Sequence, residues 1–516
     1  MRVKVIIGLL ALIVIISLAL SLQTDRKVTT KSDQAYNYFL AGIEDANRLY
    51  NNEALENLEA AVMLDSSFAS AWAYLSKYYA ILGQKEEASI AADLAFDLSQ
   101  DLPERERLNI HLVTCGLRDD CDNFDEILDY MLKEFPEELD PHLYKAGIYW
   151  KENKIVEAIE EYETAYQINP NYALIYNELG YLHATIGDLK KAIEYMKKYV
   201  FIAPDQANPH DSLGDILIRV GRYREAIDHL RSALSVKPNL AAEPNNLGHA
   251  IYLHLATANL RLGRLKQTEQ HLNRAIELAP NEWMKNQVIT ATTELFRTQR
   301  KYAEGIESLK RVHSPEKFYK NMVLEHLAYL YSDINRDAEI MELIDKLERY
   351  LFEIIREAGG DSIEVTSENY KEYISMSCKS EGINRRLEML RVFHDRASGK
   401  LIQAKEQTAA LIEHEKNFEA KMFWTFFKAG LEHDLGDYQA ALLTLEPFIE
   451  TNPNDPDVTI LQAKVLMKSD QYDQAKDLLK AFLISTDGAD EDWIPAHEAR
   501  ELLKRLEETT LTLTDH

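Results

Sequence analysis

Three cysteines in 516 residues, Cys115, Cys121 and Cys378, are too few for a disulfide framework. Glycine (19) and proline (14) are also scarce, while Ala, Leu, Glu and Tyr are plentiful, a composition that suits helices far better than strands. Basic residues fall short as well: 58 Lys and Arg against 85 Asp and Glu leave a formal charge of -27. A duplex-binding surface needs clustered Lys and Arg, so nucleic acid is not an expected partner, whereas a basic peptide would be attracted. No GxxxxGK[ST], HExxH, GxSxG or paired CxxC occurs, and Gly399-Lys400 lacks the upstream glycine of a phosphate loop. The acidic clusters "RDDCDNFDE" and "TDGADEDW" lack the alternating oxygen ligands and the glycine of an EF-hand, and read as charge at helix starts. Neither enzyme chemistry, a cofactor, a metal site nor a small-molecule substrate is therefore expected.

Long apolar runs are absent except for one, "VIIGLLALIVIISLALSL" from Val5 to Leu22. As a helix it would span about 27 Å, close to a bilayer's hydrocarbon thickness. Arg2 and Lys4 put residues 1–4 in the cytoplasm, with 5–22 as a retained signal-anchor and 23–32 as a linker. The alternative is cleavage at Ser17-Leu18-Ala19 or Ala19-Leu20-Ser21, giving an exported soluble protein.

The rest of the chain repeats. Tyr176, Leu179, Gly180, His183, Gly187, Ala192, Met196, Tyr199 and Pro204 recur 34 residues later as His210, Leu213, Gly214, Leu217, Gly221, Ala226, Leu230, Ala233 and Pro238. Thirty-four residues earlier the matching residues include His142, Ala146, Tyr149, Ala158, Tyr162, Ala165 and Pro170. The first-helix half is cleanest in "WAYLSKYY", with Trp72, Leu75, Ser76 and Tyr79. Small residues at Gly180, Gly214, Ala192 and Ala226 let two antiparallel helices approach, and the larger residues fill the space to the next pair.

This pattern resembles the tetratricopeptide repeat. The resemblance implies an all-α, right-handed superhelical solenoid, with about twelve copies starting near Ala35, Ala69, Arg105, Leu139, Ala173, Ala207, Ala241, Asn286, Asn321, Arg385, Met422 and Pro456. "PAHEARELLKRLEE" reads as a capping helix over 491–508, followed by a tail, 509–516. The stretch Ser32 to Ile110 also resembles the repeat modules at the C-terminal ends of bacterial membrane-spanning regulators. That implies a bacterial origin and repeats on the far side of the inner membrane, in the periplasm, with no effector domain carried over.

Two places break the rhythm. In the seventh copy Leu247-Gly248 and Ile251 keep phase, yet the turn glycine comes eight residues late at Gly263, which predicts a first helix projecting about 12 Å beyond its neighbours. From 355 to 384 the signature is lost, dividing a long block (33–354) from a short one (385–490) by either a hinge or a helical insert. "CGLRDDC" spans a predicted helix-helix turn, where Cys115 and Cys121 are either bridged or two separate thiols.

First helices line the concave face in the family that the chain resembles. The fifth repeat position there holds Asn177, Asp211 and Asn245, and one turn on stand Tyr181, Asp215 and His249, a polar ladder suited to an extended, basic peptide. The paired basic positions of the family's carboxylate clamp are absent. The expected function is a membrane-tethered, extracytoplasmic scaffold that binds proteins or peptides in envelope assembly, with a sensor ectodomain acting on a separate membrane partner as the rival.

Overall fold

The computed structural model describes residues 27–514 apart from 119–120, 122, 243–245, 311, 313–316, 360–365, 367–368 and 377. The apolar run Val5–Leu22 and the ladder residue Asn245 lie outside the described residues. Among the described residues no helix is long and apolar enough to cross a membrane. There are no strands among them either, only 25 α-helices and two short 3-10 segments.

Twenty-four of those helices form twelve pairs, beginning with Asp33–Asn47 and Asn51–Leu64 and ending with Pro456–Lys468 and Tyr472–Ser485, and Ile494–Thr514 closes the series. Every pair turns on one residue with positive φ: glycine at Gly83, Gly187, Gly221, Gly263, Gly399 and Gly436, and Leu49, Asn123, Asn153, Arg300, Asn335 and Asp470 in the other six. Some helix starts are capped by a side-chain acceptor. Ser32 takes the Ala35 amide at 3.1 Å, and Asp455 takes the amides of Asp457 and Val458 at 3.0 and 3.2 Å.

The chain divides into two compact units, residues up to 182 with 201–203, and 183–200 with 204 onward. In the first, alanines at the helix contacts are wholly buried, Ala35, Ala54 and Ala61 around Leu58, Leu75 and Phe68, and Ala69 and Ala95 with Ile110 and Val113. Its third pair replaces small residues with Leu108, Leu112, Leu128 and Met131, which make a cluster of their own. In the second unit an alanine at Gly214 would bring its Cβ to 2.8 Å from Leu230 Cγ, so helices Ala207–Arg219 and Tyr223–Val236 touch where only glycine fits. Leu75, Gly180, Ala192, Gly214 and Ala226 are all buried, and Trp72, half-buried, donates its indole N–H to the Ser66 carbonyl at 3.0 Å.

Three expectations need correction. The seventh first helix is Asn246–Arg261, 16 residues against 13 for Ala207–Arg219, so the 12 Å overhang is absent. Of the eight extra residues five lie before the helix, in a 3-10 turn at Pro238–Ala241 and the chain after it, and three extend the helix itself. True phase runs back from the turn glycine: Tyr252, Leu255, Ala256, Asn259, Gly263, Leu272, Ala275 and Pro280 fill the repeat positions. Second, residues 355–384 do not divide the array. Helix Asp337–Gly359 packs on Cys378–Ala397, the 3-10 segment Tyr370–Met376 packs on both, and one core runs from Ile306 through Tyr370 and Phe393 to Leu431. Third, the last helix continues to Thr514, through most of the expected tail.

Candidate peptide-binding faces

In the first unit the face of the first helices is already engaged by a piece of the chain. The non-helical segment Lys27 to Ser32 lies across it, held mainly by carboxylates. Glu106 accepts from the Thr29 amide at 2.8 Å and the Thr29 hydroxyl at 2.6 Å, and Asp65 accepts from the Lys31 amide at 2.8 Å and the Thr30 hydroxyl at 2.6 Å. Arg105 donates to the Lys27 carbonyl at 3.0 Å, and the Lys27 ammonium lies 3.4 Å from Glu138. Burial alone would raise the Asp65 pKa, but hydrogen bonds from Ser67, Thr30 and the Lys31 amide hold it at about 2. Beside the segment remains a cavity of about 220 Å³, walled by Tyr36, Phe39, Ile43 and Tyr74. Tyr74 donates to Asp140 at 2.5 Å, and Lys77 lies 3.6 Å from the same carboxylate.

In the second unit two runs of repeats face each other. The turn glycines of three successive pairs abut the later run: Gly187 meets the Phe418 ring, Gly221 meets Asn452 and Asn454, and Gly263 meets Trp493. Hydrogen bonds stitch this seam, from Asn454 to the Gly221 carbonyl (3.2 Å), from Asn452 to the Tyr223 hydroxyl (3.1 Å) and from the Asp490 amide to the Gly263 carbonyl (2.8 Å). At its centre Arg297 reaches Asp457 at 2.9 Å, and Arg261 lies 3.3 Å from Asp457 and 3.5 Å from Asp455. Burial would raise the Asp457 carboxyl, yet the two guanidiniums hold it below its usual value. For Asp455 burial prevails, helped by the Asp457 charge beside it, and holds the carboxyl above its usual value despite Arg261.

Behind the seam lies a cavity of about 290 Å³. Its apolar wall is Met422, Phe423, Phe426 and Phe448, and its polar rim is Arg219, Arg261, Arg297, Glu294 and Glu419. A second cavity of about 360 Å³ shares Arg297, Tyr329, Phe426 and Asp457 with it. Such a space accepts an apolar or aromatic side chain while its rim bonds to the adjoining backbone.

The ladder residues are not presented as one row. Asn177 and Tyr181 are half-buried in helix Ala173–Thr185. Asp211 is buried and accepts from His254 Nδ1 at 2.8 Å. Asp215 lies 2.7 Å from Arg219, which also reaches Glu419 at 2.5 Å, so this rung does meet the rim of the cavity. His249 is buried, bonded to the Ala275 carbonyl at 2.9 Å, because in true phase it occupies the helix-start position of Ala173 and Ala207. The ladder positions of that repeat are Leu253 and Thr257. His254, which periodicity did not single out, stands between Asp211 and Asp215. Burial lowers its pKa, but the two carboxylates prevail and lift it to about 9.

Cys115 and Cys121 are joined by a disulfide with Cα atoms 5.0 Å apart. His111 lies with them, a neighbour signalled by the spacing His-x3-Cys-x5-Cys, whereas the expectation from sequence took in only the two cysteines, as a bridge or as separate thiols.

Four family models match the sequence: one described as TPR repeat at 147–187, and three described as tetratricopeptide repeat at 173–206, 212–282 and 433–492. No curated protein matches. Similar solved structures include a tetratricopeptide repeat protein from Parabacteroides merdae ATCC 43184 (12% identity, 57% of this chain and 99% of that one, TM-score 0.32). Others are YrrB, described as a TPR protein with an unusual peptide-binding site (12%, 44% and 94%, 0.25), and the P58(IPK) TPR domain (13%, 71% and 98%, 0.22). With four family matches falling on helix pairs that share one turn geometry, the chain carries tetratricopeptide repeats within 147–206, 212–282 and 433–492.

Proposed function

We propose that the chain is a binding scaffold that holds non-helical peptide segments on its first-helix faces. The reading includes Val5–Leu22 as a tether in a bacterial inner membrane, with the repeats on the extracytoplasmic side, where they recruit proteins into an envelope assembly. The observation that carries the binding role is the docking of Lys27 to Ser32, in which Glu106 and Asp65 accept two backbone amides and two hydroxyls. Main-chain recognition of this kind takes any segment of suitable shape, and the surrounding carboxylates favour one with hydroxyl and basic side chains. Support for the tether is the length and apolarity of Val5–Leu22.

The binding role is tested by titrating a chain that starts at Asp33 with a fluorescent peptide covering residues 24–34. Saturable binding that Asp65→Asn with Glu106→Gln abolishes is the expected result, and no binding to the unaltered face sinks the reading. For the tether, carbonate-resistant membrane association is expected. A mature N-terminus at Leu20 or Leu22 would replace it with export.

A further inference from the structure

One cluster in the first unit takes no part in the binding role. His111 and Cys115 stand one helical turn apart near the end of helix Glu104–Cys115, and Cys121 lies in the turn that leads to helix Phe124–Glu134. One ligand atom from each, an imidazole nitrogen and two sulfurs, falls within 4.8 Å of the others. A tetrahedral zinc ion held at about 2.3 Å from sulfur and about 2.0 Å from nitrogen spaces its ligands by about 3.5 to 3.8 Å, so the three converge as chelation demands. The surroundings suit a thiolate site. Cys115 is buried, the His111 ring lies against the Phe96 ring at 5.5 Å, and the Arg118 guanidinium sits 3.4 Å over the Phe96 ring while its backbone amide donates to the Cys115 carbonyl at 3.4 Å.

We propose that His111, Cys115 and Cys121 form a redox-gated site for a thiophilic ion of the zinc type. In the disulfide state the two sulfurs bond to each other and cannot both bind metal. A dithiol reductant opens the bridge by exchange: one of its thiolates attacks one cysteine sulfur, which releases the other cysteine and leaves a mixed disulfide; its second thiolate then attacks the reductant's own sulfur in that mixed disulfide, displacing the cysteine still bound, and the reductant leaves as its own disulfide. Two electrons and two protons pass to Cys115 and Cys121. Zinc then displaces those two protons, takes a neutral nitrogen of His111, and completes its shell with water. Transfer of two electrons back to a disulfide oxidant re-forms the bridge and expels the ion.

The test uses the full chain and cobalt(II) as a spectroscopic stand-in for zinc. The reduced protein is expected to bind about one ion with a sulfur-to-cobalt charge-transfer band that zinc abolishes, and the oxidised protein none. Cys378→Ser is expected to leave the band unchanged, Cys121→Ser to remove it, and His111→Ala to weaken binding at least about 10-fold, each with an unaltered far-ultraviolet helix signal. No band in the reduced protein, or a band that survives Cys121→Ser, overturns the proposal. Because the readout is metal binding alone, failure here leaves the peptide-binding role untouched.

Discussion

The seam of the second unit makes an alanine at Gly263 costly for two separable reasons. Gly263 has φ +71°, where a side chain costs about 1–2 kcal/mol, and its added Cβ would run into the Trp493 ring and approach Ala489 Cβ at 2.7 Å. Trp493 is only 1% exposed and packs on Phe482, so it has little room to yield, and overpacking of this kind costs about 1–3 kcal/mol more. Gly436 supplies the control, with φ +80° and no atom within 4 Å of its would-be Cβ. Gly436→Ala therefore carries the strain alone, and Gly263→Ala the strain plus the clash. Hydrogen exchange over residues 486–506 reads the difference locally. Amides there are expected to exchange about 5- to 150-fold faster in Gly263→Ala than in Gly436→Ala, the equivalent of about 1–3 kcal/mol. Equal protection in the two variants would refute the seam as a packed contact.

Arg297→Ala leaves Asp457 with Arg261 alone in a buried setting and is expected to cost about 3–5 kcal/mol in chemical denaturation, more than Arg222→Ala on the exposed Glu225 pair, expected at about 1 kcal/mol or less. His254 is charged in the folded protein up to about pH 9, above the ordinary histidine value. Its contribution is therefore complete below about pH 6.5 and lost as pH rises through about 9; Asp211→Asn is expected to move the imidazole titration downward, as read by NMR. Asp65 has the opposite sign: its depressed carboxyl stabilises the docked segment above about pH 4 and releases it as pH falls through about 2, which limited proteolysis at the N-terminal segment would follow. Glu106→Gln at pH 7 is expected to weaken the same docking by about 1.5–3 kcal/mol, increasing protease cutting before Ser32.

The repeat was legible because its cause is local. Small residues such as Gly214 and Ala226 recur where helices must touch, and a period in the chain becomes a period in space. Phase was misread where it was carried forward from Gly214 through Leu247-Gly248 instead of backward from Gly263, because an insertion before a helix shifts everything after it while leaving chance matches behind. That single slip put His249 on the binding face, when it lies in the core, and passed over His254. Turns were legible only in part: glycine marks six, but Asn, Asp, Arg and Leu fill the other six because the surrounding packing sustains the left-handed geometry. The seam and the docked segment were invisible for a different reason. Asn452 with Tyr223, or Thr29 with Glu106, are partners across 229 and 77 residues, and nothing periodic relates them.

The seam also changes how the second unit comes apart. A linear stack, in which each pair leans only on its neighbours, frays from a free end one pair at a time. Here an earlier and a later run brace each other, Gly221 against Asn452 and Asn454 and Gly263 against Trp493, so losing either run exposes the guanidinium and carboxylate cluster at Arg261, Arg297 and Asp457. The unit should melt as a block, and under a pull from its C-terminal end it should resist until the seam ruptures and then lengthen abruptly. A scaffold of this construction stays short and stiff below that threshold, which gives a load-dependent reach to whatever it holds.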